Sequence, residues 1–234
     1  MSNIRLFFSE SLSLNLKSKL NKSQSHYLIK VMRIKTGENF SLFNSSGEWS
    51  AKITEISKGI AEFNVIEQLR QKDNTKEIWL AFSPIKSNYL NFMIQKATEL
   101  GVTRFIPIIF DRTIVRKINK ERLEKIIIEA TEQSNRINIP LLEKPQNLKN
   151  FLSNNSKKID LVFTDLNSEK KKLEINKEAN KPLCAIVGPE GDFSEKEREL
   201  ILNFKSVRSI NINQNILRAE TATISIISII SYIL

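Results

Sequence analysis

Apolar and polar positions repeat with two different periods along this 234-residue chain, and the change of period divides it in two. Near the N-terminus the runs Ile4–Phe8, Asn39–Asn44, Glu48–Ser57 and Ile60–Leu69 are short, rich in Phe, Ile and Val, and read as strands. Ser45-Ser46-Gly47 and Lys58-Gly59 lie between them as hairpin turns. Ser23–Met32 predicts a helix with Leu28, Val31 and Met32 on its apolar side and Arg33 just beyond. These elements make a small β-rich module, a barrel or half-barrel. Arg70–Glu77 is polar throughout and reads as a linker.

From Ile78 strands and helices alternate. Ile78–Phe82 is an apolar strand. Asn88 is then a candidate cap for a helix whose Leu90, Met93, Ile94, Ala97 and Leu100 share a face, stopped by Gly101. Phe105–Phe110 is a strand and Glu121–Gln133 a helix, with Leu123, Ile126, Ile127 and Ala130 inward. Leu161–Thr164 follows as a strand, and Ser168–Lys181 as a long charged connection. The stretch from Leu183 to Glu197 is an apolar strand, a Gly188-Pro189-Glu190-Gly191 turn, and a Ser194/Glu197 capping box opening a helix to about Phe204. A strand at Val207–Ile212 and a helix from about Glu220 complete the chain. This alternation predicts a parallel sheet covered by helices, with ligands at the carboxyl ends of its strands, where Gly188 and Asn213 would lie. The glycine turn is neither a Walker loop nor a G-x-G-x-x-G, and as a bare pattern it also fits an ordinary strand-to-helix connection.

Composition narrows the partner. The formal net charge is +10, which favours a polyanion, and residues 1–72 carry 11 Lys/Arg against 6 Asp/Glu. A single cysteine, Cys184, excludes an internal disulfide and a cysteine-rich zinc site, so no metal is expected. No basic segment followed by a sustained apolar core stands at the start. The apolar run Ile224–Leu234 is too short to span a bilayer, so a cytoplasmic protein with no membrane partner is expected.

Five segments in order carry a resemblance. They are His26-Tyr27-Leu28 with Val31-Met32-Arg33; Lys96-Ala97-Thr98-Glu99-Leu100-Gly101-Val102; Glu132-Gln133-Ser134-Asn135-Arg136 with Ile139-Pro140; Gly188-Pro189-Glu190-Gly191; and Ile216-Leu217-Arg218-Ala219-Glu220-Thr221-Ala222. Together they resemble the RsmE-type SPOUT methyltransferases, which methylate N3 of a uridine in small-subunit ribosomal RNA. The resemblance implies a PUA-like RNA-binding β-barrel domain over residues 1–72. It implies an α/β-knot (SPOUT) methyltransferase domain over 73–234, with a parallel sheet and a chain threaded into a trefoil knot. It further implies S-adenosylmethionine bound bent in the knot loops, a homodimer, and 16S rRNA or the 30S subunit as substrate. Two positions depart from the family pattern: Asp192 stands where a second glycine is usual, and Asn213 where another is. Asparagine tolerates positive φ better than most residues, so the second turn can survive.

The resemblance, together with the residues' own chemistry and charge, suggests roles for individual residues. Thr164, Asp165, Gly188, Pro189, Glu190, Gly191, Ile212, Asn213, Ile216 and Leu217 would bind the cofactor. Arg218 would stabilise the negative charge developing on the uracil ring, and Glu220 or Glu190, or water, would take the N3 proton. Arg5, Lys30 and Arg33 on the small domain, with Arg112, Arg116 and Arg136 on the catalytic side, are the expected RNA contacts. A non-catalytic ribosome assembly factor that keeps the fold is the alternative, and a SPOUT enzyme acting on tRNA a third. Ser225, Ser228 and Ser231 mark the last helix as a dimer or core element.

Overall fold

The structure, a computed structural model, describes residues 4–72, 76–175 and 181–234. Residues 73–75 of the anticipated linker and 176–180 of the charged connection lie outside the described residues. The chain divides into two compact units, one built on the N-terminal segment together with Thr131–Ile139, the other on the remainder.

In the N-terminal unit the strands are β1 (Arg5–Phe7), β2 (Lys17–Lys19), β3 (Asn39–Asn44), β4 (Gly47–Ser57) and β5 (Ile60–Arg70). They form one sheet in the order β1-β3-β4-β5-β2, with β1 parallel to β3 and the other pairs antiparallel. The alternating residues do what the pattern required: Phe40, Leu42, Ala51, Ile53, Ala61, Phe63 and Val65 are buried in one cluster with Leu6, Phe8 and Leu28. Lys58 and Gly59 both take positive φ (49° and 77°), the two-residue turn that matches the twist of β4 and β5.

The expected helix over Ser23–Met32 is shorter and changes type. α1 (Lys22–His26), capped by Asn21, runs into a π-turn over Tyr27–Val31 in which Met32 N–H donates to Tyr27 O at 3.0 Å. The wider turn shifts the register, so Leu28 is buried but Val31 points out at 59% exposure.

The second unit holds β6 (Ile78–Phe82), α2 (Ser87–Glu99), β7 (Val102–Ile109), α3 (Lys120–Gln133, whose last residues join the first unit), β8 (Leu141–Leu142), β9 (Gln146–Asn147), α4 (Leu148–Asn155), β10 (Asp160–Thr164), β11 (Leu183–Val187), α5 (Glu195–Leu202), β12 (Val207–Ile210) and α6 (Ala219–Ile233). The strands pair in the order β12-β10-β11-β6-β7-β8, β9 also pairing β7, and every pair is parallel. β11 is buried along its whole length, as a central strand covered on both faces must be. Trp79, Ala81, Phe163, Cys184, Ile186 and Ile201 belong to one core cluster. On α6, Ile226, Ile227 and Ile230 are buried, and Thr223 Oγ1 lies 3.3 Å from Met93 Sδ of α2. Ser228, Ser231 and Tyr232 remain exposed on α6. Among the described residues no helix is long and apolar enough to cross a membrane.

Candidate cofactor and RNA site

Strands β10, β11 and β12 lie side by side and parallel, so their carboxyl ends open on one edge of the sheet. Three loops leave that edge: one begins at Asp165, one at Gly188 and one at Asn211. Between them is a cavity of about 760 Å³. All ten residues expected to hold the cofactor line it, and so does Arg218. Its wall also includes Lys86, Tyr89, Asp192, Phe193, Asn211 and Asn215, which the sequence reading did not assign to the site.

Each loop is fixed by its own bonds. At the end of β11 the chain turns at Pro189–Asp192, closed by Asp192 N–H donating to Pro189 O at 3.0 Å. Asp192 takes a left-handed φ of 61°, which explains the glycine preference at this point, and its Oδ1 accepts from Phe193 N–H at 2.8 Å. Phe193 is seated edge-on between Phe110 and Phe163, with ring centroids 5.1 Å from each. A Cβ on Gly188 would stand 2.5 Å from the Phe193 ring, so only glycine fits beneath it. Arg112 braces the same loop, its Nη1 donating to Gly191 O at 2.9 Å. The capping box of α5 is formed: Ser194 N–H donates to Glu197 Oε2 at 3.0 Å, and Glu197 N–H to Ser194 Oγ at 3.4 Å.

The loop after β12 is held by two Asx turns in series. Asn213 N–H donates to Asn211 Oδ1 (3.1 Å) and Asn215 N–H to Asn213 Oδ1 (2.8 Å). Asn213 does not use a left-handed φ, so the departure there is absorbed by side-chain hydrogen bonds rather than by tolerance of positive φ. Ile216, 84% exposed, leaves an apolar surface at the rim.

Polar groups on the third wall are largely engaged. Thr164 Oγ1 donates to Ile186 O at 3.2 Å. The buried Asp165 carboxylate accepts from Arg198 Nη2 (2.8 Å), Ser209 Oγ (3.3 Å) and Asn167 N–H (3.0 Å), so it acts as a tie between loops. That hydrogen bond raises the Arg198 pKa.

Arg218 stands at the N-cap of α6 with its guanidinium 4.6 Å from the Tyr89 ring centroid. Tyr89 first, then the Glu220 and Glu190 carboxylates, push its pKa above the ordinary value. It is therefore a fixed positive charge on the cavity wall. Glu220 corrects one expectation: it is buried, sits 3.7 Å from Arg218 Nε, and does not line the cavity. Of the two carboxylates weighed as proton acceptors, only Glu190 does.

Arg5 corrects another. Its side chain is 5% exposed and bonded in all directions: Nε and Nη2 donate to Glu48 (2.9 and 3.2 Å), Nη1 to the carbonyls of Thr131 and Glu132 (3.4 and 2.9 Å), and Nη2 to that of Arg136 (2.9 Å). No donor faces a phosphate. These bonds draw the Thr131–Ile139 segment into the N-terminal unit, so Arg136 belongs there and not to the catalytic side. Arg136 is half-buried, and that burial lowers its pKa to about 10. Lys30, Arg33, Arg112 and Arg116 are exposed. Among the described residues no cluster of three His, Cys, Asp or Glu side chains could hold a metal.

Comparison with known proteins accounts for both units. Residues 72–231 match the RNA methyltransferase domain family and residues 20–66 the RNA methyltransferase PUA domain. The ribosomal RNA small subunit methyltransferase E of Rickettsia conorii is 36% identical, covering 96% of this chain and 93% of its own. The chain belongs to the ribosomal RNA small subunit methyltransferase E family. The member from Aquifex aeolicus is 31% identical over 97% of this chain and 99% of its own. Among solved structures, the Neisseria gonorrhoeae family member bound to S-adenosyl methionine superposes with a TM-score of 0.90 at 26% identity, covering 99% of this chain and 98% of the other. A Legionella pneumophila protein in complex with the bound cofactor SAM superposes at 0.86, with 25% identity over 100% and 98% of the two chains. Family membership makes the N-terminal sheet a PUA-like domain and the parallel sheet a SPOUT methyltransferase domain.

Proposed function

We propose that this protein methylates N3 of a uridine in 16S ribosomal RNA, working as a cytoplasmic homodimer whose catalytic domain carries a trefoil knot. The coarser activity follows from the family: the chain is an S-adenosylmethionine-dependent methyltransferase of small-subunit ribosomal RNA. The observation that carries the proposal is the cavity at the ends of β10, β11 and β12, which gathers the ten expected cofactor residues and Arg218.

The cavity suits the cofactor. Its volume of about 760 Å³ falls within the range of small-molecule sites, roughly 300–1,000 Å³. Val187, Ile210, Ile212, Ile216 and Leu217 offer apolar surface for a purine, and the Pro189–Asp192 turn offers backbone groups beside a wall of mixed charge. When bound, S-adenosylmethionine supplies an electrophilic methyl on a sulfonium.

The chain's own residues align and balance charge. Gly188 lets the backbone pass close to Phe193 and so sets the loop that positions the cofactor. Arg218 faces the charge that grows on the uracil ring as N3 loses its proton. Glu190, or water beside it, receives that proton, while Glu220 holds Arg218. Lys30, Arg33, Arg112 and Arg116 are the exposed cations left for phosphates. The stripe of Ser228 and Ser231 with Tyr232 supports a dimer face on α6.

Labelled methyl transfer to 30S particles, followed by digestion to nucleosides, tests this. Label in 3-methyluridine is the expected result. Label in another nucleoside overturns the N3 assignment, and transfer to tRNA in preference to 30S overturns the substrate. Salt-sensitive RNA binding without any transfer would make the protein an assembly factor instead.

A further inference from the structure

We propose that Asp192 is a specificity-determining residue that tilts the cavity toward the cationic methyl donor and against the neutral sulfide left after transfer. This rests on the S-adenosylmethionine reading above. Asp192 holds a left-handed φ of 61°, a conformation that glycine takes without strain and most other residues do not. Its side chain is exposed, but it does not swing freely. Oδ1 is tied to Phe193 N–H at 2.8 Å, and Phe193 is locked between Phe110 and Phe163, so the carboxylate is carried on a rigid aromatic core at the cavity wall.

The charged residues lining the cavity are Lys86, Asp165, Glu190, Asp192 and Arg218, three carboxylates against two cations. Asp165 is engaged by Arg198 at 2.8 Å and Arg218 by Glu220 at 3.7 Å. Arg198 also feels Asp192, but its charge is already met by the Asp165 bond, so Asp192 tips a nearly balanced wall to negative. The reaction makes that sign matter. The donor carries a sulfonium, an ammonium and a carboxylate, for one net positive charge. As the methyl leaves, sulfur keeps the bonding pair and becomes a neutral thioether; N3 accepts the methyl after giving up its proton. The product molecule thus has no net charge. A carboxylate close to the sulfonium in a wet cavity favours the charged form by roughly fivefold at most, less in high salt.

Calorimetric titration of wild type, Asp192→Asn and Asp192→Gly with S-adenosylmethionine and with S-adenosylhomocysteine tests the inference. Asparagine keeps the Oδ1 acceptor and tolerates the backbone, losing only the charge; glycine removes the side chain without disfavouring the φ. Both variants are expected to bind the donor about fivefold more weakly and the product within about twofold of wild type, with the difference shrinking in high salt. Neither is expected to lower the melting temperature. An unchanged donor-to-product ratio in both variants, or an equal loss for both ligands, overturns the role of Asp192. A wild-type protein that binds neither ligand sinks the cofactor reading itself, and the inference with it.

Discussion

Arg5 and Arg218 are the same side chain in opposite circumstances. Arg5 opens β1 in the N-terminal unit, almost wholly buried, with the Glu48 carboxylate and backbone carbonyls of the Thr131–Ile139 segment filling its donor positions. Arg218 caps α6 in the other unit, two-thirds exposed, with one ring beneath it and one carboxylate beside it. A guanidinium has five donors in a fixed fork, and the number already occupied separates structure from chemistry. Arg5 has none to spare and holds the fold. Arg218 keeps unoccupied donors, as its proposed role requires, and is still held in place. Exposure alone would not single out Arg218, since surface cations such as Lys30 are exposed too.

The comparison breaks most sharply at Arg5. Arg5→Ala leaves the buried Glu48 with only Arg70 and is expected to cost about 3–5 kcal/mol in urea unfolding, with cofactor affinity measured on the folded fraction unchanged. Glu48 also sets a pH limit. Burial pushes its pKa up, but the bonds and charges of Arg5 and Arg70 outweigh it and hold the value below the ordinary 4.5. A depressed carboxyl contributes stability that is complete above its unfolded value and is lost as pH falls toward the native one. Unfolding free energy should therefore drop below about pH 4.5, and Glu48→Gln should flatten that part of the profile. The opposite signature is expected at Arg218. Arg218→Ala should lower kcat by about 100-fold while moving S-adenosylmethionine affinity by less than about threefold, because the charge we propose it faces appears only in the transition state. A large loss of cofactor affinity instead would make Arg218 a binding residue.

Between these lies Gly188, where one methyl tests whether the loop is built on its aromatic base. Gly188→Ala would place a Cβ 2.5 Å from a ring that cannot retreat, because Phe110 and Phe163 hold it on both sides. The expected cost is about 1–3 kcal/mol of stability with at least a tenfold loss of cofactor affinity by calorimetry. Phe193→Leu in the same background should recover part of both.

What could be read from sequence follows the same division. The strand and helix periods, the Ser194/Glu197 box and the carboxyl-end loops are local or periodic features, and the cavity wall follows from them once the strands are parallel. Side chains whose role depends on distant acceptors were not legible. Arg5 at the head of a basic module resembles a phosphate contact until carbonyls some 130 residues away fill its donors. Glu220 resembles a proton acceptor until its helix buries it. Val31 obeyed a helical period that the π-turn abandoned. α4 had a usable signal that was passed over: Asn147 caps it by accepting from Asn150 N–H at 2.8 Å, and Leu148, Phe151 and Leu152 share one buried face. Tyr89 was missed for a similar reason. β6 is parallel to β11 and ends at Phe82, so the start of α2 lies on the same edge as Gly188.

Tyr89 is where the contrast between the two arginines can be made quantitative. Arg5 is held by charge and by several hydrogen bonds, so no single neighbour short of Glu48 controls it. Arg218 depends on few contacts, and the Tyr89 ring, 4.6 Å from the guanidinium carbon, is one of them. A cation over an aromatic face is attracted by the ring quadrupole, weakly where water reaches it. If the ring serves to hold Arg218 ready, Tyr89→Leu should lower kcat by about three- to fivefold with little change in the KM for either substrate, and Tyr89→Phe should restore most of it. Tyr89 is 37% exposed, so neither variant should shift the melting temperature by more than about 2 °C. In an Arg218→Ala background the Tyr89→Leu effect should vanish, because the ring would then have nothing to position. Persistence of the full effect without Arg218 would show that Tyr89 acts on the substrate directly, and that Arg218 is oriented by its carboxylate neighbours alone.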